Sequence, residues 1–142
     1  MGDGECKNIL QKEIDRNNLN SKVFLLGHIK NIFPFIKNSK MFILTSRWED
    51  PGFVLIEAAY MNKTVLSSDC PNGPREILDN EKNGFLFESN STASFLKKFD
   101  EIQKSEKSVL LKKKISFKKK IKEFTLVNHF NVFSNLLIDY EN

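Results

Sequence analysis

The sequence has few cysteines, no long apolar run and no charged start followed by an apolar stretch. Its two cysteines, Cys6 and Cys70, lie far apart and outside any Cys-x-x-Cys or Cys/His spacing. This predicts neither a zinc site nor a disulfide framework and indicates reduced thiols. No apolar run approaches the roughly 20 residues that span a bilayer. We therefore expect a cytoplasmic protein, either soluble or peripheral on the inner face of the membrane.

Length and charge limit the architecture further. A chain of 142 residues with 40% hydrophobic residues predicts one domain with a core of ordinary size. Seven lysines fall between residues 112 and 122, so the net charge of +4 leaves the rest of the chain at −3 (4 − 7). That stretch can form a basic amphipathic helix on an anionic membrane surface. The alternative, a core-packed helix with a solvated lysine face, is favoured because such faces are common.

The stretch from residue 41 to residue 60 combines a strand, a loop and a helix. Met41–Leu44 is an apolar run too short for a helix, which predicts a strand buried on both faces of a parallel sheet. We expect Asp50 to cap a helix whose first turn holds Pro51 and Gly52. Strand, loop and helix would form half of a βαβ unit, and ligands bind at this corner of such sheets.

Two carboxylates flank the predicted corner. Glu49 precedes the helix and Glu57 lies about two turns inside it, so a rise of ~1.5 Å per residue separates them by on the order of 10 Å. This spacing suits the two ends of an extended ligand better than one bond cleaved by a pair of acids. The N–H groups of Gly52, Phe53 and Val54 should be unpaired at the helix start, where the dipole favours an anion. Taken singly, each glutamate is better explained as a solvated acid.

Together, the strand, the Glu-x7-Glu spacing and the Glu-Ala-Ala that begins at Glu57 resemble the signature of the retaining glycosyltransferases of family 4. That family has the GT-B architecture, in which two Rossmann-like domains hold a nucleotide-sugar donor between them. The resemblance implies that Glu49 is catalytic, beside the hydroxyls of the transferred sugar. It also implies that the amides of Gly52, Phe53 and Val54 contact the donor sugar and diphosphate, and that Glu57 binds the ribose hydroxyls.

Two upstream motifs extend the resemblance. Gly2 and Gly4 form a Gly-x-Gly that in the family ends a strand beneath the donor, and a helix should follow as far as residue 17. Residues 23–26 predict a second buried strand, and the resemblance makes the main chain at His28 and Ile29 the contact for the nucleotide base. We expect no direct catalytic role for His28, because a lone histidine is more often a surface or packing residue.

Downstream motifs follow the same pattern. Residues 63–67 predict the next strand, and the Ser-Asp-x-x-x-Gly-Pro-x-Glu-Ile of residues 68–77 resembles the family segment that lines the donor pocket from its far side. Arg75 is a cation able to approach a phosphate, although a solvated helix arginine explains it equally well. Residues 83–87 predict a turn into a last short strand, and Ser91 or Thr92 should cap the next helix.

The sequence thus predicts an α/β fold, a Rossmann-like parallel sheet with flanking helices. The resemblance identifies residues 1–142 as a partial C-terminal domain of a GT-B glycosyltransferase. We expect two strands, their diphosphate-binding cations and the acceptor domain to be missing, because the resemblance starts at Gly2. Residues 125–142 would be the terminal crossover helix, with an apolar side lacking a partner.

The implied reaction transfers a hexosyl unit from a nucleoside-diphosphate sugar to a glycan or lipid-linked acceptor with retention, as in bacterial polysaccharide biosynthesis. The donor is a co-substrate, and neither a cofactor nor a metal is expected. A separate N-terminal acceptor domain and a peripheral membrane contact are the expected partners. The alternatives are a noncatalytic nucleotide-sugar-binding fragment and a basic membrane or nucleic-acid module. Nucleic acid is disfavoured because no aromatic-basic RNA-binding motif is present.

Overall fold

The computed structural model describes the backbone of residues 3–141 and the side chains of residues 3–138. The chain divides between Phe35 and Ile36 into two compact units. Gly2, one of the predicted donor-binding residues, lies outside the described residues.

The first unit contains one of the two predicted elements. Helix α1 spans Lys7–Arg16, as the sequence predicts, and buries Ile14. The predicted strand at residues 23–26 is wrong, because the segment is irregular and Phe24 is 66% exposed. A parallel strand needs a neighbour to pair its N–H and C=O groups, and the described residues of this unit contain none. Helix α2, Phe33–Asn38, crosses the division and has Pro34 in its first turn.

The second unit is a parallel α/β sheet with flanking helices, which confirms the predicted fold class. Its three strands lie in the order β1-β2-β3 and all pairs are parallel. The sheet and its two crossover helices comprise β1 (Met41–Leu44), α3 (Phe53–Tyr60), β2 (Thr64–Ser68), α4 (Pro74–Ile77) and β3 (Phe85–Phe87). Strands β2 and β3 are buried on both faces. The predicted burial of β1 on both faces is wrong, because Ile43 is exposed and the other three residues of this edge strand are only partly buried.

Hydrophobic clusters cover both faces of this sheet. Neighbouring residues of a strand point to opposite faces, so Val65 packs into one cluster and Leu66 into the other. The Val65 cluster includes Leu55 from α3. The Leu66 cluster includes Ile102 from α5, Thr92–Lys104. Ser91 caps α5, since its hydroxyl accepts a hydrogen bond from the N–H of Ser94 at 3.2 Å.

The lysine-rich stretch forms α6, Lys107–Lys120, which packs against the core. Phe117 is 0% exposed and belongs to the Val65 cluster. Lys113 donates hydrogen bonds to the carbonyls of Glu81 and Gly84 and lies 4.7 Å from the centre of the Phe85 ring. Burial holds the pKa of Lys113 below its ordinary value, although Glu81 opposes this effect. The helix is therefore a structural element of the domain, as the favoured interpretation has it.

A 3₁₀ turn, Ile121–Phe124, leads into the last helix, α7, Leu126–Glu141. The predicted apolar side of α7 is exposed, with Phe130 at 66%, Phe133 at 55% and Leu137 at 54%. Among the described residues, no helix combines the length and the hydrophobicity needed to cross a bilayer.

Candidate functional site

The loop between β1 and α3 reverses the chain at Gly52. Gly52 has φ 88° and ψ 44°, and α3 begins at the next residue. Few residues other than glycine adopt this left-handed conformation readily. The predicted cap at Asp50 is therefore wrong, and Pro51 and Gly52 precede the helix instead of forming its first turn.

The Glu49 side chain packs against this glycine. A Cβ built on Gly52 would lie 3.5 Å from both Cγ and Oε2 of Glu49. The N–H of Glu49 donates to the carbonyl of Pro71 at 3.3 Å, which ties the loop to the segment after β2. The structure thus brings the predicted catalytic carboxylate to the start of α3.

The start of α3 keeps its backbone donors available. The N–H of Leu55 bonds to the carbonyl of Gly52 at 3.0 Å. Within residues 3–141, the N–H groups of Gly52, Phe53 and Val54 donate no backbone hydrogen bond, and no side chain caps the helix. Free amides at the positive end of a helix dipole form a site suited to a phosphate or another anion.

Glu57 lies in the second turn of the same helix and is partly buried. In the described part of the chain its carboxylate has no hydrogen-bond or ion-pair partner in the protein, so both oxygens can accept from a ligand. Two acids on one strand-loop-helix unit, with free amides between them, are the arrangement that the sequence predicts.

A second loop holds the first in place, a contact that sequence reasoning missed. Gly73 has φ 119°, and a Cβ built on it would lie 1.8 Å from the carbonyl oxygen of Pro51. The Ser68 hydroxyl donates to the carbonyl of Ser46 at 2.5 Å. The available signal was the Asn-Gly-Pro of residues 72–74, which marks a turn but does not reveal what the turn contacts.

Arg75 is engaged by a neighbouring acid. Its Nε donates to Oδ1 of Asp69 at 3.0 Å, and a terminal guanidinium nitrogen bonds the other carboxylate oxygen. The N–H of Asp69 donates to the carbonyl of Phe87 at 2.8 Å, which fixes the acid at the end of β2. A phosphate that contacts Arg75 would therefore share the guanidinium group with the carboxylate of Asp69.

The remaining predicted residues belong to the first unit. His28 is exposed and Ile29 is partly exposed, directly after Gly27, which has φ 65°. Gly4 has no atom within 4 Å of a built Cβ, so the structure places no steric demand for glycine there. Gly4 does line a cavity of about 320 Å³ within this unit, beside Lys7. The roles of Gly4, His28 and Ile29, like those of the other predicted site residues, remain predictions.

Comparison with solved structures defines the class of fold. HepE from Anabaena, solved in complex with UDP and glucose, matches 93% of this chain and 36% of its own with a TM-score of 0.79, at 19% identity. The fold is that of a GT-B glycosyltransferase, with a Rossmann-like parallel sheet and flanking helices.

The particular family follows from the sequence comparison. The family described as "Glycosyl transferases group 1" matches residues 1–124, and the chain belongs to that family. An uncharacterized glycosyltransferase of Methanocaldococcus jannaschii is 49% identical over 83 residues, 58% of this chain and 20% of the relative. A second relative, the UDP-Gal:alpha-D-GlcNAc-diphosphoundecaprenol alpha-1,3-galactosyltransferase of Escherichia coli, is 29% identical over 140 residues, 98% of this chain and 36% of the relative. The chain therefore spans between a fifth and about a third of the length of these curated relatives.

Proposed function

We propose that this chain is the donor-binding C-terminal part of a retaining family 4 glycosyltransferase. It acts with an acceptor domain, carried on the same or a separate polypeptide, to transfer a hexosyl unit from a nucleoside-diphosphate sugar. The acceptor is a glycan or a lipid-linked glycan. Membership of the glycosyl transferases group 1 family supports the reaction class. The E. coli relative is named for a UDP-galactose donor and a lipid diphosphate acceptor, which supports these substrate classes.

One observation carries the assignment of the site. Gly52 reverses the chain so that Glu49 packs beside the start of α3, while the N–H groups of Phe53 and Val54 have no hydrogen-bond partner among the described residues. A carboxylate beside an anion-binding helix start can hold a sugar by its hydroxyls while the amides hold its diphosphate.

In the proposed reaction the bond between the sugar's C1 and the diphosphate oxygen breaks, and its electrons leave with the diphosphate. An acceptor hydroxyl forms the new bond to C1 on the same face of the sugar, and its proton passes to the departing diphosphate. The amides of Gly52, Phe53 and Val54 stabilise the negative charge that develops there. Glu49 orients the sugar and Glu57 holds the ribose. Because the amides stabilise the diphosphate, the proposal requires no metal ion and no cofactor.

Two further features complete the proposal. The exposed apolar side of α7 is the surface that would contact the acceptor domain, which is the role proposed for residues 125–142. We place the reaction at the inner face of the membrane, because a lipid-linked acceptor is held there.

Amide NMR during titration with UDP, GDP and ADP tests the donor site. We expect the preferred nucleotide to shift the N–H resonances of Gly52, Phe53 and Val54 downfield, because free amides acquire a charged acceptor. Amides within the β2 ladder, such as that of Leu66, serve as internal controls. Unchanged resonances at the start of α3, with all three nucleotides at millimolar concentration, would contradict the proposal.

Retention is tested by determining the anomeric configuration of the transferred sugar in the product.

A further inference from the structure

A cavity of about 530 Å³ lies between α6, the 3₁₀ turn after it and the loop that precedes β3. Charged side chains form much of its wall: Asp79, Lys82, Lys112, Lys119, Lys120 and Glu123. None of these residues takes part in the proposed donor site.

The cavity lies at the opposite edge of the sheet from that site. Asn83, which lines the cavity, comes two residues before β3 begins. Glu49 and Gly52 follow the end of β1. Since the strands are parallel, the amino end of β3 and the carboxyl end of β1 are at opposite edges. A ligand in the cavity would therefore leave the donor corner free.

The cavity has an excess of positive charge. Lys82 pairs with Asp79 at 3.2 Å and Lys120 pairs with Glu123 at 2.5 Å. In the described part of the protein, Lys112 and Lys119 have no acidic partner. They are seven residues apart on α6, on the same side of the helix, so their ammonium groups add two uncompensated charges to one wall. Such a wall attracts an anion.

Asn83 adds a second, independent feature. It is 3% exposed, and its Nδ2 donates to the carbonyl of Ile77 at a long 3.4 Å. Among the described side chains it has the one buried polar atom without a hydrogen-bond partner, the acceptor Oδ1. Buried acceptors are almost always paired, so this oxygen calls for a donor such as a hydroxyl. A phosphate monoester above its second pKa of about 6 has no proton to donate, so the donor must be a hydroxyl elsewhere on the ligand.

We infer that this cavity binds a phosphate ester of a polyol, with the phosphate held by Lys112 and Lys119 and a neighbouring hydroxyl donating to Oδ1 of Asn83. Two sources supply this chemistry: a free polyol phosphate and the headgroup of an anionic lipid. The lipid source is physically accessible, because the apolar side chains of Leu111 and Ile115, which are one turn apart on the same side of α6, are exposed and can enter a membrane interface.

A matched pair of double variants tests the inference in the full chain. Lys112→Gln with Lys119→Gln removes the two cavity lysines that have no acidic partner among the described residues. Lys107→Gln with Lys118→Gln removes two charges that are equally exposed on the same helix but lie outside the cavity, so both double variants have the same net charge. Circular dichroism verifies that both proteins are folded. Calorimetry above about pH 7 with methyl phosphate, which has no hydroxyl donor there, and with glycerol 1-phosphate measures the free ligand. Co-sedimentation with phosphatidylcholine vesicles, with and without phosphatidylglycerol, measures the lipid.

We expect the cavity pair to weaken binding at least about ten-fold and the control pair less than about two-fold, since Lys107 and Lys118 do not line the cavity. The wild type should bind glycerol 1-phosphate about three-fold more tightly than methyl phosphate, the value of one modest hydrogen bond, and Asn83→Ser should abolish this preference. A response limited to calorimetry identifies the free ester, and one limited to phosphatidylglycerol vesicles identifies the lipid. Equal losses from the two pairs, or no binding of any probe, would overturn the inference.

Discussion

Gly73 and Pro51 are in such close contact that a Cβ on the glycine would lie 1.8 Å from the proline carbonyl oxygen. The two residues belong to different loops, one after β2 and the other after β1, and both loops lie at the carboxyl edge of the sheet. The contact therefore sets the position of the loop that carries Glu49.

Replacement of Gly73 by alanine should displace that loop. The backbone at φ 119° and the clash with the Pro51 carbonyl should together lower the free energy of unfolding by at least about 1–3 kcal/mol. Urea denaturation measures the loss, and calorimetry should show weaker nucleotide binding in the protein that remains folded. Gly4→Ala is the control, because a Cβ there meets nothing within 4 Å. Equal stability of the two variants would show that the loops do not depend on Gly73.

Phe117→Ala should destabilise the second unit by about 3–5 kcal/mol, since truncation of a fully buried phenylalanine leaves a cavity. Phe117 has no exposed surface and packs in the same cluster as Leu55 and Val65. Phe130→Ala, at a position 66% exposed, should change stability by less than about 1 kcal/mol. If the two variants unfold at the same urea concentration, the lysine-rich helix is not part of the core.

Arg75→Gln should reduce the affinity for UDP more than it reduces the stability of the fold. The arginine side chain is 63% exposed, so loss of its pair with Asp69 should reduce the free energy of unfolding by no more than about 1 kcal/mol. UDP affinity should fall by about three- to ten-fold if the guanidinium also contacts the diphosphate. The exposed Arg16, 3.9 Å from Glu13, provides a control as Arg16→Gln. An unchanged UDP affinity would assign Arg75 a structural role alone.

Glu81 should make stability depend on acid pH. Burial acts to raise the pKa of Glu81, but hydrogen bonds from the Leu86 N–H and the Lys98 ammonium, with the charges of Lys98 and Lys113, hold it below the ordinary value of 4.5. The stabilisation is therefore present above about pH 4.5 and is lost as the pH falls through the lower folded value. Urea denaturation between pH 7 and pH 3 should show a smaller decrease in the free energy of unfolding for Glu81→Gln than for the wild type. If this free energy depends on pH in the same way in both proteins, Glu81 is not the source of the dependence.

The sequence predicted the elements whose patterns are local. The three strands of the second unit have short apolar runs bounded by turn residues, and Ser91 lies at the cap position of α5. The residues predicted for the β1–α3 corner come together for the same reason, because Glu49, Gly52 and Glu57 lie on one continuous strand-loop-helix segment.

Features that depend on partners distant in sequence could not be predicted in this way. Residues 23–26 have the composition of a strand but form none, since a strand requires a neighbour that composition does not reveal. The contact of Gly73 with Pro51 and the pair of Arg75 with Asp69 depend on how two loops meet at the sheet edge.

The start of α3 was predicted wrongly for a local reason. Asp50 was expected to cap α3 by residue preference, but the left-handed conformation of Gly52 moved the helix start by two residues.

Calorimetric titration of nucleoside diphosphates into the wild type, Glu57→Ala and Glu49→Ala tests the central claim most directly. The two acids are eight residues apart on one continuous segment, and the account assigns the ribose to Glu57 and the transferred sugar to Glu49. Glu57→Ala should weaken binding of the nucleotide alone by ~1.5–3 kcal/mol, because a carboxylate that accepts two ribose hydroxyls is removed. Glu49→Ala should leave that affinity within about two-fold of the wild type, since a nucleotide without sugar does not contact Glu49. Equal losses from both variants, or a wild type that binds no nucleoside diphosphate, would contradict the account.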